Sequence, residues 1–240
     1  MKKNPYLFAL VAICLCFVQC ETNKIGQNGT HEGHEYVDLG LPSGLKWATC
    51  NIGATTPEGY GDYFAWGETE TKEMYSYETY KYCEGSETTF TKYCHNKEYG
   101  LNGFVDNKFE LDPEDDAAVV NWGGSWRMPT VDELDDLRYS CIWKWTTQNG
   151  VAGLLGTSRV EGYTDRTIFF PAAGYYFENQ LEFNTALGDG LYWSKSAYDD
   201  AKYPYCASAL VFREEDSVLY ATFDRLNLRN EGLSVRAVCP

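Results

Sequence analysis

Hydrophobic and polar positions divide the chain into segments of different period. A mostly apolar, uncharged run from Tyr6 to Val18 follows Lys2 and Lys3 and stops at Cys20, where the polar stretch Glu21 to Gly33 begins. Tyr36-Val37-Asp38-Leu39 and Leu45-Lys46-Trp47-Ala48-Thr49-Cys50 alternate as strands do, and Gly40 to Gly44, with Pro42 inside it, supplies the turn of an opening hairpin. Val131, Leu134, Leu137, Arg138 and Cys141 fall on one helical face behind Thr130 and Glu133, whose spacing is that of a capping box. Asp112 is the expected cap of a shorter helix, with Pro113 at its first position and the acids 114–116 at the positive end of its dipole. Thr167 to Phe170, Leu191 to Ser194, Ala207 to Phe212, Val218 to Phe223 and Leu233 to Val238 read as strands. Between them, residues 68–110 are polar, tyrosine-rich and without period, which predicts a long surface excursion.

The apolar run of thirteen is short for a spanning helix, which needs about 20 residues to cross about 30 Å of hydrocarbon. With lysines before it and a polar stretch after, it has the grammar of an export signal. We expect residues 1–19 to be a signal peptide, Cys20 to carry the lipid, residues 20–35 to form a flexible tether and residues 36–240 to form one domain. The expected location is the outer membrane or cell surface, with contact to the membrane through the lipid only.

Charge narrows the partners. The formal net charge is −15, and loss of residues 1–19 removes Lys2 and Lys3 and no acid, leaving −17. Such a surface repels phosphate backbones, which excludes nucleic acid. Aromatic residues make up 16% of the chain, with 22 glycines and 8 prolines, a composition suited to short strands and tight turns. Cys50, Cys83, Cys94, Cys141, Cys206 and Cys239 remain beside Cys20, and an even number in an exported chain reads as up to three disulfides with fifteen possible connectivities. Cys83 and Cys94 close the shortest loop, and a bridge there would be worth about 3 kcal/mol.

Six ordered blocks then point to a family. They are Val37 to Ala54, Gly61 to Glu68, Trp122 to Thr130, Phe170 to Tyr175, Gly190 to Ser194 and Gly232 to Arg236. In this order they resemble the Fibrobacter succinogenes major paralogous domain, a family of exported bacterial proteins. The resemblance implies an α+β, C-type-lectin-like (formylglycine-generating-enzyme-like) single domain with short strands, one or two main helices and long loops, and pairing of the opening hairpin with the Ser234 to Val238 strand. It also implies a Cys50–Cys141 bridge, and leaves Cys206 and Cys239 as a third pair.

Little catalytic chemistry is legible. The enzyme branch of that superfamily holds copper with two nearby cysteines, and Cys206 has no close second cysteine. Calcium-dependent sugar binding uses Glu-Pro-Asn or Trp-Asn-Asp, and neither tripeptide occurs. His31 and His34 are three apart, not four, within a glycine-containing segment read as a solvated linker. No catalytic residue, metal site or cofactor is therefore expected.

Tyr192 to Asn230 is rich in the residue types of recognition surfaces, and Tyr198, Tyr203, Tyr205, Arg225 and Asn227 are the candidate ligand contacts. The reading is a lipid-anchored binding or adhesion protein presenting a lectin-like loop face to an extracellular protein or glycan. A structural or accessory subunit of a surface assembly is the alternative, and a formylglycine-generating-type oxidase the weaker one.

Overall fold

The computed structural model describes residues 28–183, 188–200, 202–213, 219–221 and 227–240. In chain order its strands are β1 (Gly29–His31), β2 (His34–Val37), β3 (Lys46–Ala48), β4 (Tyr63–Phe64), β5 (Cys141–Gln148), β6 (Val151–Ser158), β7 (Thr167–Pro171), β8 (Tyr175–Phe177), β9 (Gln180–Glu182), β10 (Asp189–Ala197), β11 (Cys206–Arg213), β12 (Leu219–Ala221), β13 (Asn227–Leu228), β14 (Leu233–Ser234) and β15 (Val238–Cys239). Two α-helices, α1 (Ala117–Trp122) and α2 (Val131–Ser140), lie between β4 and β5.

With 36% strand and 11% helix spread over several small sheets, the protein is mostly β, which corrects the expected α+β, C-type-lectin-like class. The reason lies partly in residues 141–158. They form a regular hairpin that pairs Cys141 with Ser158 and Gln148 with Val151. Asn149 and Gly150 turn it with φ of 48° and 86°, the left-handed pair that a two-residue hairpin requires.

The helical predictions hold in part. Thr130 Oγ1 accepts from Glu133 N at 3.2 Å while Glu133 Oε2 accepts from Thr130 N at 2.8 Å, so the capping box starts α2. Leu134 and Leu137 are its buried residues, whereas Val131 and Arg138 stay outside the core. At the shorter helix, Asp112 makes no side-chain cap and Pro113–Asp115 is a single 3-10 turn. Asp116 caps α1 instead, accepting from the Ala118 and Val119 amides.

The opening hairpin forms as expected, with Tyr36 opposite Ala48 and Val37 opposite Trp47. β15 adds to it at Val238 and Cys239, but Leu233–Ser234 joins β4 and β10 in the largest sheet, so the last strand is split. The split is filled by Arg236. Its Nε donates to Asn51 Oδ1 at 2.8 Å, Nη1 to the carbonyls of Ala48 and Thr49, and Nη2 to that of Phe169 at 3.1 Å. One buried guanidinium thereby satisfies carbonyls from the first hairpin and from β7, at a desolvation cost that its neutral acceptors offset.

Two aromatic clusters face each other across β10 and β11. Leu191, Trp193, Ala209 and Val211 point into one, with Trp66 and Trp126, while Tyr192, Leu210 and Phe212 point into the other, with Trp47 and Phe170. Both faces of these strands are therefore buried along most of their length.

Residues 68–110 are a second correction. Tyr75, Tyr80, Tyr82, Phe90 and Tyr93 are buried in the first cluster, so the excursion is pinned by its aromatics as part of the core, while its polar residues and residues 102–110 stay largely at the surface. Hydroxyls make this possible, since Tyr80 donates to Trp66 O at 2.7 Å and Tyr75 to Tyr63 O at 2.6 Å. The expected tether is also shorter. Glu32 and Gly33 turn β1 into β2 with φ of 47° and 86°, His31 Nε2 lies 2.7 Å from Ser125 Oγ, and His34 stacks on Trp122 at 3.9 Å. Residues 28–35 are thus docked against α1 and the loop after it.

Candidate binding face

Two loops meet beside the first cluster. In residues 93–109, the Asp106 carboxylate accepts from the amides of Tyr93 and Cys94, both at 2.8 Å, and closes the loop on itself. Phe109 stacks on His95 with centroids 4.9 Å apart, and its carbonyl accepts from Ala197 N at 2.7 Å, where the second loop begins. That loop folds through Tyr203 N to Asp200 O and Cys206 N to Tyr203 O, and Asp200 Oδ1 takes the Lys202 amide.

Arg229 fastens the loops from below. Fully buried, it donates from Nε to Cys206 O at 3.0 Å and from Nη1 to Tyr93 O at 2.7 Å, with its guanidinium 4.8 Å from the Trp66 ring centre. Burial pushes its pKa down, and the Tyr80 hydroxyl, as a nearby anion when ionised, opposes that.

Above this buckle the aromatic rings run in sequence. Tyr198 and Tyr203 lie 6.3 Å apart, Tyr203 and Tyr205 6.2 Å, and Tyr205 and Tyr99 5.6 Å, all four half-buried. Phe104, Val105 and Phe109 add side chains 36%, 42% and 39% exposed. Burial lowers the pKa of His95, which keeps the imidazole under Phe109 neutral near pH 7.

Of the candidate contacts, Tyr198, Tyr203 and Tyr205 come together here. Asn227 does not, being 1% exposed in β13 opposite Ala207, and Arg225 lies outside the described residues. Tyr192, Trp193 and Arg229 are interior as well. The half of the face supplied by residues 99–109 was missed because nothing in that polar, aperiodic stretch marks which aromatics turn outward. Phe104-Val105 within an Asn- and Gly-rich loop was the available signal.

All six described cysteines are free thiols, which corrects the Cys50–Cys141, Cys83–Cys94 and Cys206–Cys239 pairings. Cys83 Sγ lies 3.0 Å from Tyr77 O and Cys94 Sγ 3.2 Å from Asn96 O, so both are engaged locally. Burial pushes the Cys141 and Cys206 thiols up to about 12. Cys20 lies outside the described residues.

A separate cleft of about 340 Å³ opens between the β1–β2 turn and Trp122, with His34, Thr49 and Cys50 in its walls. Among the described residues no group of three or more His, Cys, Asp or Glu is placed to hold a metal ion, and no helix is long and apolar enough to cross a membrane.

No family model, curated protein or solved structure matches the chain. What the geometry defines is a mostly β domain carrying a two-loop aromatic face.

Proposed function

We propose that this chain is a surface binding or adhesion module of the Fibrobacter succinogenes major paralogous family, exported and held to a membrane through a lipid on Cys20. Its ligand face is the tyrosine row Tyr99, Tyr205, Tyr203 and Tyr198 with the neighbouring phenylalanines. The observation that carries this reading is the row itself: four half-exposed rings in contact, buckled from beneath by a buried arginine. Rigid amphipathic rings held in place lose little entropy on contact, which is what recognition surfaces favour.

The docked hairpin changes the geometry of display. Only residues 21–28 separate the anchor on Cys20 from β1, and eight residues span at most about 28 Å, where a tether to residue 35 would reach about 50 Å. The module is therefore held close to its membrane.

Two measurements test the proposal. Fatty-acid labelling of the full chain in a bacterial host should be lost in Cys20→Ala. Cell-binding and glycan-array screens should show a ligand whose binding falls in Tyr203→Ala/Tyr205→Ala, and binding unchanged by that pair would exclude the face. Assembly into a larger surface structure is the second reading, favoured by the exposed Phe104, Val105 and Phe109. It predicts that these side chains become protected in the native host and that the purified chain self-associates or aggregates.

A further inference from the structure

The border of the first cluster shows what this protein places against tyrosine and carboxylate together. Lys92 Nζ lies 2.6 Å from Asp115 and 2.7 Å from Asp112, and 4.9 Å from the centre of the Tyr93 ring. Lys81 Nζ lies 3.2 Å from Asp115 and 4.8 Å from the Tyr82 ring centre. Lys72 Nζ lies 2.9 Å from Glu68, with the Tyr75 and Tyr80 rings at 5.5 and 5.8 Å. In each place one ammonium meets a ring face and a carboxylate at once, so the quadrupole of the ring and the full negative charge act on the same cation.

The same residue types recur at the surface without being sunk into the core. Tyr198, Tyr203 and Tyr205 adjoin Asp199 and Asp200 in the second loop, and Glu87 lies close enough to Tyr205 to contribute, after burial and Cys206, to holding its hydroxyl protonated. Asp199 and Glu87 are exposed and Asp200 is half-buried, while Lys202 is the one described cation of that loop. A chain of net charge −15 draws cations toward such a place and turns away sulfated, sialylated or phosphorylated ligands.

We propose that the face docks a basic segment of a partner polypeptide, whose lysine or arginine side chains lie over Tyr198, Tyr203 and Tyr205 and are met by Asp199, Asp200 and Glu87. The proposal rests on the reading of this face as the ligand face and adds the chemistry of what it takes. Chemically the segment repeats the arrangement that the chain's own Lys72, Lys81 and Lys92 make at the border of the first cluster. Its affinity falls with salt, because exposed carboxylates supply much of the attraction.

Fluorescence anisotropy of a labelled peptide alternating lysine and glycine, titrated with the full chain, tests it against the same peptide with glutamine in place of lysine. The lysine peptide binds and the glutamine peptide does not. Asp199→Asn/Asp200→Asn and Tyr203→Ala/Tyr205→Ala each weaken binding by at least about tenfold, whereas Glu161→Gln/Asp165→Asn, exposed acids of the β6–β7 turn, changes it by less than about twofold. Asn at 200 keeps the oxygen that accepts the Lys202 amide, so the charge-neutralised loop folds as before. Equal loss in the Glu161/Asp165 control overturns the proposal, since the attraction would then be general acidity. So does unchanged binding in the aspartate pair, including capture of a neutral glycan that only the tyrosine pair disturbs; in that case the face still binds and only its cationic partner is wrong. If neither pair alters binding to peptide, glycan or cells, the face and its partner fail together.

Discussion

Between Tyr75 and Tyr93 the protein folds tyrosines inward, with Tyr75 and Tyr80 giving their hydroxyls to backbone carbonyls, Tyr93 giving its own to Asp115, and Tyr75, Tyr80, Tyr82 and Tyr93 turning ring faces to lysines, whereas Tyr99, Tyr198, Tyr203 and Tyr205 stop half-way out of solvent. The two groups share composition, acidic neighbours and even a fastening, since Arg229 reaches Tyr93 O on one side and Cys206 O on the other. Their difference is depth. The inner group stabilises the fold through buried ring area and through the partners that the Tyr75, Tyr80 and Tyr93 hydroxyls reach, and the outer group keeps aromatic area at the rim.

That contrast can be broken at its strongest point by Arg229→Ala. The change empties a site among Trp66, Phe90 and Tyr93, leaves the Tyr93 carbonyl without the Arg229 donor and leaves Cys206 O to the Tyr198 amide alone, and we expect a loss of about 4 kcal/mol in denaturant unfolding. Asp115→Ala comes next, at about 3 kcal/mol, because it withdraws the carboxylate shared by Lys81, Lys92 and the Tyr93 hydroxyl.

The same carboxylate gives the inner group a pH signature. Burial alone would raise its pKa, but Lys92, Tyr93 and Lys81 outweigh burial and hold it at about 2. A folded value below the unfolded value of about 3.9 means stability present above pH 4 and lost as pH falls toward 2, about 2 kcal/mol in all. Asp115→Ala should flatten that part of an acid-unfolding profile, and an unchanged slope would contradict the assignment.

Smaller effects sharpen the comparison. Tyr80→Phe removes a buried bond to Trp66 O and should cost about 1 kcal/mol, whereas Tyr203→Phe at the surface should change stability by less than about 0.5 kcal/mol.

Much of the scaffold was legible before folding was considered. Thr130 and Glu133 announce α2 because a capping box is local chemistry, and Gly40 to Gly44 announces the first turn for the same reason. Arg236 lies in a recognisable block, though its partners at Asn51, Ala48 and Phe169 are scattered along the chain and only tertiary structure collects them. The Asn149-Gly150 turn was available to sequence reading and would have replaced the continuation of α2 toward Cys141 with the β5–β6 hairpin.

The fate of the tyrosines was not available. Inner and outer groups have similar polar neighbours and neither has a period, so nothing local separates Tyr80 from Tyr203. Partners distant in sequence decide: Trp66 O and the Lys92–Asp115 ion pair draw the inner set in, while the turn through Asp200 and Lys202 leaves the outer set at the rim. The candidate Asn227 failed for the same reason, because pairing of β13 with β11 places it inside.

The most direct test compares stability and binding in one pair of variants, Tyr203→Ala/Tyr205→Ala and Tyr80→Ala, measured on the full chain against its ligand-bearing surface. The surface pair should lose at least about tenfold in affinity with less than about 1 kcal/mol of stability, and Tyr80→Ala should lose about 3 kcal/mol or more of stability. Full binding by the surface pair, or a loss of stability in it equal to that of Tyr80→Ala, would contradict the division between a structural and a recognising set of tyrosines.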